Sequence, residues 1–156
     1  MKINSDQLPG RMADTIAALF IFLFIYAATS KLIDFKQFRI QLSLSAVLTP
    51  YAGKLAWAVP AVELMICGLL FCQSTRLWGL VLSFALMNLF TAYIFAVTRF
   101  SEQIPCSCGG ILEKMSWNQH LLFNSVFALL GFAGIILYAK SHQFFIAINR
   151  HSRKPV

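Results

Sequence analysis

Two cysteines separated by a single residue, Cys106 and Cys108, are the side chains whose type and spacing best suit chemistry. They follow Pro105 and precede Gly109-Gly110, residues that favour a rigid, exposed turn. A disulfide between cysteines this close in sequence is strained and therefore easily reduced, which suits exchange with another thiol better than permanent cross-linking. The spacing predicts a thiol–disulfide exchange site at Cys106 and Cys108.

His120 is the third catalytic candidate because it lies in the first turn of a predicted helix that begins just after this loop. The positive end of the helix dipole there would favour the reactive thiolate form of a nearby cysteine. A metal site formed by both cysteines and His120 is an alternative, but it would leave one coordination position unfilled, so we predict no metal.

Two structural alternatives for the loop cysteines also stay open. They could form a disulfide with Cys67 or Cys72, or they could be unpaired thiols. Cys67 and Cys72 lie in a long apolar run, where we expect them to pack as small apolar side chains.

Glu63 is the second chemical signal, because a carboxylate inside an apolar run is costly unless it is paired or protonated. Pro60, one turn earlier, removes a backbone donor and could open the helix. Lys31 is the predicted partner, with Tyr26 nearby, so we assign Glu63, Lys31 and Tyr26 to a predicted cofactor-binding site. The alternative is that Glu63 and Lys31 form only a structural tie between two helices.

The composition indicates that the elements positioning these residues lie in a lipid bilayer. The chain of 156 residues is 58% hydrophobic and only 12% charged, about half the charged fraction of a soluble domain. A soluble protein of this composition would expose large apolar patches. The net charge of +7 fits basic residues flanking membrane spans, and we predict no binding to nucleic acid.

The apolar runs predict a single all-α membrane domain, residues 1–156, built as a four-transmembrane-helix bundle. The predicted spans are 13–30, 54–72, 76–97 and 120–139, followed by a basic tail over 140–156. Ser116 and Gln119 form a predicted capping box at the start of the last span. Polar residues inside the spans are expected to form hydrogen bonds between helices.

An amphipathic segment, residues 34–48, separates the first two spans. It also alternates as a strand would, but an open strand edge in lipid would leave backbone groups unpaired. We therefore predict an interfacial helix that ends before Pro50.

Four spans place both termini on one side of the membrane. Seven of the 13 Lys and Arg residues lie in the termini and the short loop between the second and third spans. The positive-inside rule then predicts cytoplasmic termini and a cysteine loop on the outer side, where disulfides can persist.

The sequence also resembles a known family, the DoxX/MauE group of small four-helix bacterial membrane proteins. The matching residues run from the first span to the last: Tyr26, Lys31-Leu32, Asp34-Phe35, Val59-Pro60, Glu63-Leu64, Pro105-Cys106-Ser107-Cys108-Gly109-Gly110, Met115-Ser116-Trp117 and His120. The first-half features are general to DoxX-like proteins, whereas the cysteine loop resembles the MauE side.

The resemblance implies an inner-membrane protein with a redox role. For the MauE side it implies methylamine utilisation, in which the protein helps to mature a disulfide-rich periplasmic subunit alongside a thioredoxin-like partner. For the DoxX side it implies oxidation coupled to a quinone, which we expect near Glu63 and His120.

Three hypotheses follow for the function. The leading one is thiol–disulfide exchange through Cys106 and Cys108 with a periplasmic thioredoxin-like or disulfide-containing protein, coupled to a quinone. The second is a noncatalytic membrane subunit whose loop docks a partner during assembly. The third is a small transporter with Glu63 as its proton or ion site.

Overall fold

A computed structural model of the chain describes residues 8–44, 48–100 and 116–151. Five α-helices contain nearly all of these residues: α1 Leu8–Ile33, α2 Phe35–Leu44, α3 Ala52–Phe71, α4 Arg76–Phe100 and α5 Trp117–His151, with a short 3-10 helix Thr49–Tyr51 before α3. No strand occurs in these three ranges, so the all-α prediction is confirmed.

Four helical segments are long and apolar enough to cross a bilayer, which confirms the predicted number of spans. They are Leu8–Ile33, Thr49–Phe71, Arg76–Ala96 and Asn118–Ser141. At 35 residues, α5 is about 52 Å long. It therefore continues beyond its span into the basic segment that the sequence predicts to be a tail.

The four long helices form a closed ring. α1 packs against both α3 and α5, and α4 packs against α5 and α3. The connection between α3 and α4 is only the turn that follows Cys72, so these two helices are antiparallel neighbours.

α2 confirms the predicted amphipathic helix between the first two spans. Phe38 and Leu42 are buried against Ala52 and Ala56 of α3, whereas Lys36 is exposed. The spacing of Phe38 and Leu42, one turn apart, puts both on the face that packs against the bundle.

The start of α5 is fixed by the predicted capping box. The backbone N–H of Ser116 donates to Oε1 of Gln119 at 2.9 Å, and the backbone N–H of Gln119 donates to Oγ of Ser116 at 3.4 Å. These bonds satisfy two donors at the beginning of the helix and set the position of the residues in its first turn.

Three polar side chains of α4 differ from the expectation that they join helices. Ser83, Asn88 and Thr91 each donate to the carbonyl four residues earlier, at 2.7 Å in every case. Because an apolar environment offers few other acceptors, their own helix satisfies these donors.

Candidate functional site

A cavity of about 220 Å³ lies inside the bundle, near the end where α1 and α4 finish and α5 begins. All five α-helices contribute to its wall, which is mostly apolar. Segment 101–115, which contains Cys106 and Cys108, connects α4 to α5 and therefore leaves and rejoins the described structure at this same end.

A buried ion pair forms the polar centre of the cavity wall. Nζ of Lys31 donates to Oε1 of Glu63 at 2.6 Å, and their side chains are 11% and 0% exposed. Lys31 comes from the last turns of α1, and Glu63 follows Pro60 by one turn in α3. A charged carboxylate at this depth is stabilised only when a cation compensates it, and Lys31 provides that charge.

The ammonium group of Lys31 has further partners around it. It donates to the backbone carbonyl of Ala27 at 3.3 Å. It also lies 5.9 Å from the ring centroids of Phe38 on α2 and Phe90 on α4. Together with Glu63 on α3, the two rings place the ammonium group against three other helices, since a cation is attracted to the face of an aromatic ring.

His120 joins this cavity from the first turn of α5. Its backbone N–H donates to the carbonyl of Ser116 at 2.9 Å, so the capped helix start sets its position. The residue is 6% exposed. Among the described residues, neither Nδ1 of His120 nor Oε2 of Glu63 has a hydrogen-bond partner. Both buried atoms are therefore free to bond to a ligand. Such a bond would be favourable, because buried polar groups are costly when unpaired.

Three of the sequence-predicted site residues, Lys31, Glu63 and His120, thus line one cavity. Tyr26 is half-buried on α1 but is not among the residues of the lining. Its cofactor-binding role stays a prediction. Cys106 and Cys108 lie outside the described residues, so their catalytic role is likewise a prediction.

The other two cysteines are free thiols. Cys67 is buried, and its Sγ lies 3.7 Å from the backbone carbonyl of Ile21. Cys72 is exposed at the end of α3, on the opposite end of the bundle from segment 101–115. Within the described ranges, no group of three or more His, Cys, Asp and Glu side chains could hold a metal ion.

Sequence reasoning did not assign several residues that the cavity contains. Asn124 is 4% exposed and lines the cavity one turn after His120. Its spacing from His120 was a usable signal, since residues four apart share a helix face. Phe38 and Leu42 also line the cavity, so α2 is part of the site as well as a covering helix.

The family model described as methylamine utilisation protein MauE matches residues 10–138, a range that contains the cavity-lining residues of α1 to α5. No curated protein and no solved structure matches.

Proposed function

The chain belongs to the MauE family, and from that premise we propose that Cys106 and Cys108 exchange a disulfide with a partner protein during methylamine utilisation. The protein is a multi-pass membrane protein with four spans. The exchange takes place in the loop between α4 and α5, and the electron acceptor, a quinone, binds in the adjacent cavity.

The observation that carries this proposal is the position of the cavity. A cavity with a compensated ion pair and a buried histidine lies at the end of the bundle to which the cysteine-bearing segment is attached. Electrons taken up in that segment would have the shortest path to an acceptor held at this end.

The exchange consists of two successive thiolate attacks, in which the partner loses two electrons and the loop cysteines gain them. A partner thiolate attacks the Cys106–Cys108 disulfide, forms a mixed disulfide and releases the other sulfur as a thiolate. The second partner thiol then attacks the mixed disulfide, so the partner leaves oxidised and Cys106 and Cys108 are both reduced. Their return to a disulfide releases two electrons and two protons.

The residues of the cavity fit a quinone by their size and chemistry. A quinone, when bound, supplies an acceptor for those two electrons and two protons. Nδ1 of His120, when it carries the proton, can donate to a quinone oxygen, and Oε2 of Glu63 can accept from a hydroxyl of the reduced form or hold a proton. Lys31 compensates the charge of Glu63, and the rest of the described lining is mostly apolar.

We also propose that the protein lies in the bacterial inner membrane with both termini cytoplasmic and the cysteine loop periplasmic. The distribution of Lys and Arg supports this orientation, and the periplasm allows disulfides to persist. The partner would then be a periplasmic protein with a thioredoxin-like or disulfide-bearing active surface. Labelling with a membrane-impermeant maleimide in sealed vesicles, before and after mild reduction, tests the orientation.

Trapping of the mixed disulfide tests the exchange itself. A variant that keeps one loop cysteine cannot form the Cys106–Cys108 disulfide, but its remaining thiolate can attack the disulfide of an oxidised partner, and no second loop thiol is then present to resolve the mixed disulfide. Incubated with oxidised partner, Cys106→Ser or Cys108→Ser should therefore accumulate a covalent complex that reducing agent dissolves. The matched control is Cys67→Ser with Cys72→Ser, which removes the two free thiols outside the loop and should accumulate none.

Two outcomes would favour the other hypotheses. Normal exchange in the presence of both loop substitutions, together with failed assembly of a partner complex, would indicate a noncatalytic docking subunit. Loss of solute uptake in Glu63→Gln, with normal uptake when both loop cysteines are replaced, would indicate a transporter.

A further inference from the structure

We propose that the cavity fills sideways from the bilayer, through an opening beside Leu89, and holds a neutral head group whose hydrocarbon tail stays in the lipid. The inference rests on the proposed function for the identity of the head group, a quinone. It goes beyond that function by assigning the path of the ligand and the residue that controls it.

The charge of the cavity wall selects a neutral head group. Lys31 and Glu63 carry the fixed charges of the described lining, and they compensate one another at 2.6 Å. A cation or an anion entering the cavity would have to compete with one of these partners in a medium of low dielectric constant. A neutral ring with oxygen substituents can instead bond to Nδ1 of His120 and the amide of Asn124, with the ion pair intact.

The position of the opening is indicated by Leu89, whose side chain borders both the cavity and the outer surface of the bundle. Leu89 lines the cavity, yet it is 64% exposed. It lies within the apolar span Arg76–Ala96, so its exposed surface faces hydrocarbon rather than water. The cavity therefore reaches the lipid-facing surface of the bundle at Leu89.

The relation of α3 to α4 explains why the opening is there. Near their connecting turn the helices are in close contact, since a Cβ on Gly79 would lie 2.8 Å from Cδ2 of Leu70. Towards the other end, Val59 of α3 and Leu89 of α4 both line the cavity. The two helices are thus in close contact near the turn, whereas both of them border the cavity at the level of Leu89.

The volume of the cavity decides what part of the ligand it holds. An apolar protein cavity of about 150 Å³ accepts one benzene molecule, so about 220 Å³ accommodates a single substituted ring. A long hydrocarbon tail does not fit with it. The tail must pass through the opening beside Leu89 and remain among the lipid chains.

The test measures binding rates of a radiolabelled long-tailed benzoquinone to the full-length protein in lipid nanodiscs. Leu89→Trp should narrow the opening and slow both association and dissociation by about tenfold, whereas Leu89→Ala should speed both. Because Leu89 also lines the cavity, the two rates are compared with each other: an effect on the opening changes both in the same direction, whereas a change in dissociation alone would mark a contact with the bound quinone and would contradict the inference.

The matched controls are Leu129→Trp and Leu129→Ala. Leu129 is also a lipid-facing leucine of a spanning helix, 69% exposed, and it does not line the cavity. Both substitutions should leave the rates as in the wild type. Equal effects at positions 89 and 129, or no binding of the quinone to the wild type, would overturn the inference.

Failure of the inference can be told apart from failure of the proposed function. If the quinone binding rates depend on residue 89 but no trapped complex forms through Cys106, the lateral opening is supported and the exchange role is rejected. If the trapped complex forms but the quinone binding rates do not depend on residue 89, only the lateral opening is rejected.

Discussion

Two ion pairs, one near each end of the helix bundle, each join a basic side chain to a carboxylate at nearly the same separation. Lys31 and Glu63 meet at 2.6 Å beside the cavity, and Arg76 and Asp14 meet at 2.5 Å near the α3–α4 turn. Their surroundings differ: Glu63 is fully buried, whereas the side chain of Asp14 is 59% exposed. A solvated carboxylate loses little when its partner leaves, but a buried one loses its only compensation.

The two ends of the bundle also differ in how closely their helices pack. Near the α3–α4 turn, small residues bring helices together: a Cβ on Gly134 would lie 3.0 Å from Ile16 and 3.2 Å from Leu80, and Gly79 is closer still to Leu70. Such close approach gives van der Waals contact without voids. The cavity end instead retains an unfilled volume and most of the buried polar side chains.

These differences indicate that one end of the bundle contributes mainly stability, whereas the other end contains the candidate functional site. Buried ionisable groups inside a membrane are costly, and in the described part of the chain the buried carboxylate Glu63 and the buried His120 both lie at the end that has a cavity. The other end supplies packing energy that offsets this cost. We therefore expect substitutions at the two ends to fail in different ways.

The largest effect is expected when Lys31 is replaced by methionine. The substitution leaves Glu63 buried without its cation, so the free energy of unfolding should fall by about 3–5 kcal/mol. Unfolding in mixed detergent micelles, followed by circular dichroism, measures the change.

The double variant Lys31→Met with Glu63→Leu is the control for this prediction. It removes both charges, and stability should recover by at least half because no buried charge remains. A stable double variant that still exchanges thiols normally would show that the pair is only a structural tie. A single variant as stable as the wild type would contradict the comparison of the two ends.

A smaller effect is expected at the packed end from Gly79→Ala. The new Cβ would lie 2.8–2.9 Å from the side chain and backbone nitrogen of Leu70, so α3 and α4 must separate, at a cost of about 1–3 kcal/mol. Thermal unfolding in detergent measures this loss. Thiol exchange should be retained at temperatures where the variant stays folded.

Gly68→Ala is the matched control, because nothing lies within 4 Å of the Cβ it would add. Its stability should be within about 0.5 kcal/mol of the wild type. Equal losses at Gly68 and Gly79 would mean that helix flexibility, and not close packing, explains the effect.

Much of the fold could be predicted from the sequence because lipid imposes simple constraints. Apolar runs of spanning length give four helices, and the capping box at Ser116 and Gln119 marks the start of α5. The partnership of Lys31 with Glu63 was also predictable, since a buried carboxylate requires a cation. Each of these inferences depends on local sequence or on a single pair of charges.

The cavity itself could not be predicted from such local rules. It depends on how five helices diverge from one another, so residues such as Leu89 and Asn124 gain a role only through the packing of neighbours. The end of α5 at His151 was missed for a related reason. Apolar content marks where a span ends, but a helix can continue into water beyond it.

The smallest effect is expected from Asp14→Asn, which removes the exposed ion pair at the packed end. Asp14 is 59% exposed and pairs with the first residue of α4, at the end of the bundle where water and lipid head groups can replace its partner. The loss should therefore be at most about 1 kcal/mol and should decrease further at high salt. Arg76→Leu should cost more, since Nε of Arg76 also donates to the carbonyl of Leu70 at 3.1 Å, near the end of α3. Chemical unfolding at low and high ionic strength measures both changes. A loss from Asp14→Asn as large as that from Lys31→Met would show that burial does not distinguish the two ion pairs, and the proposed division of the bundle would then fail.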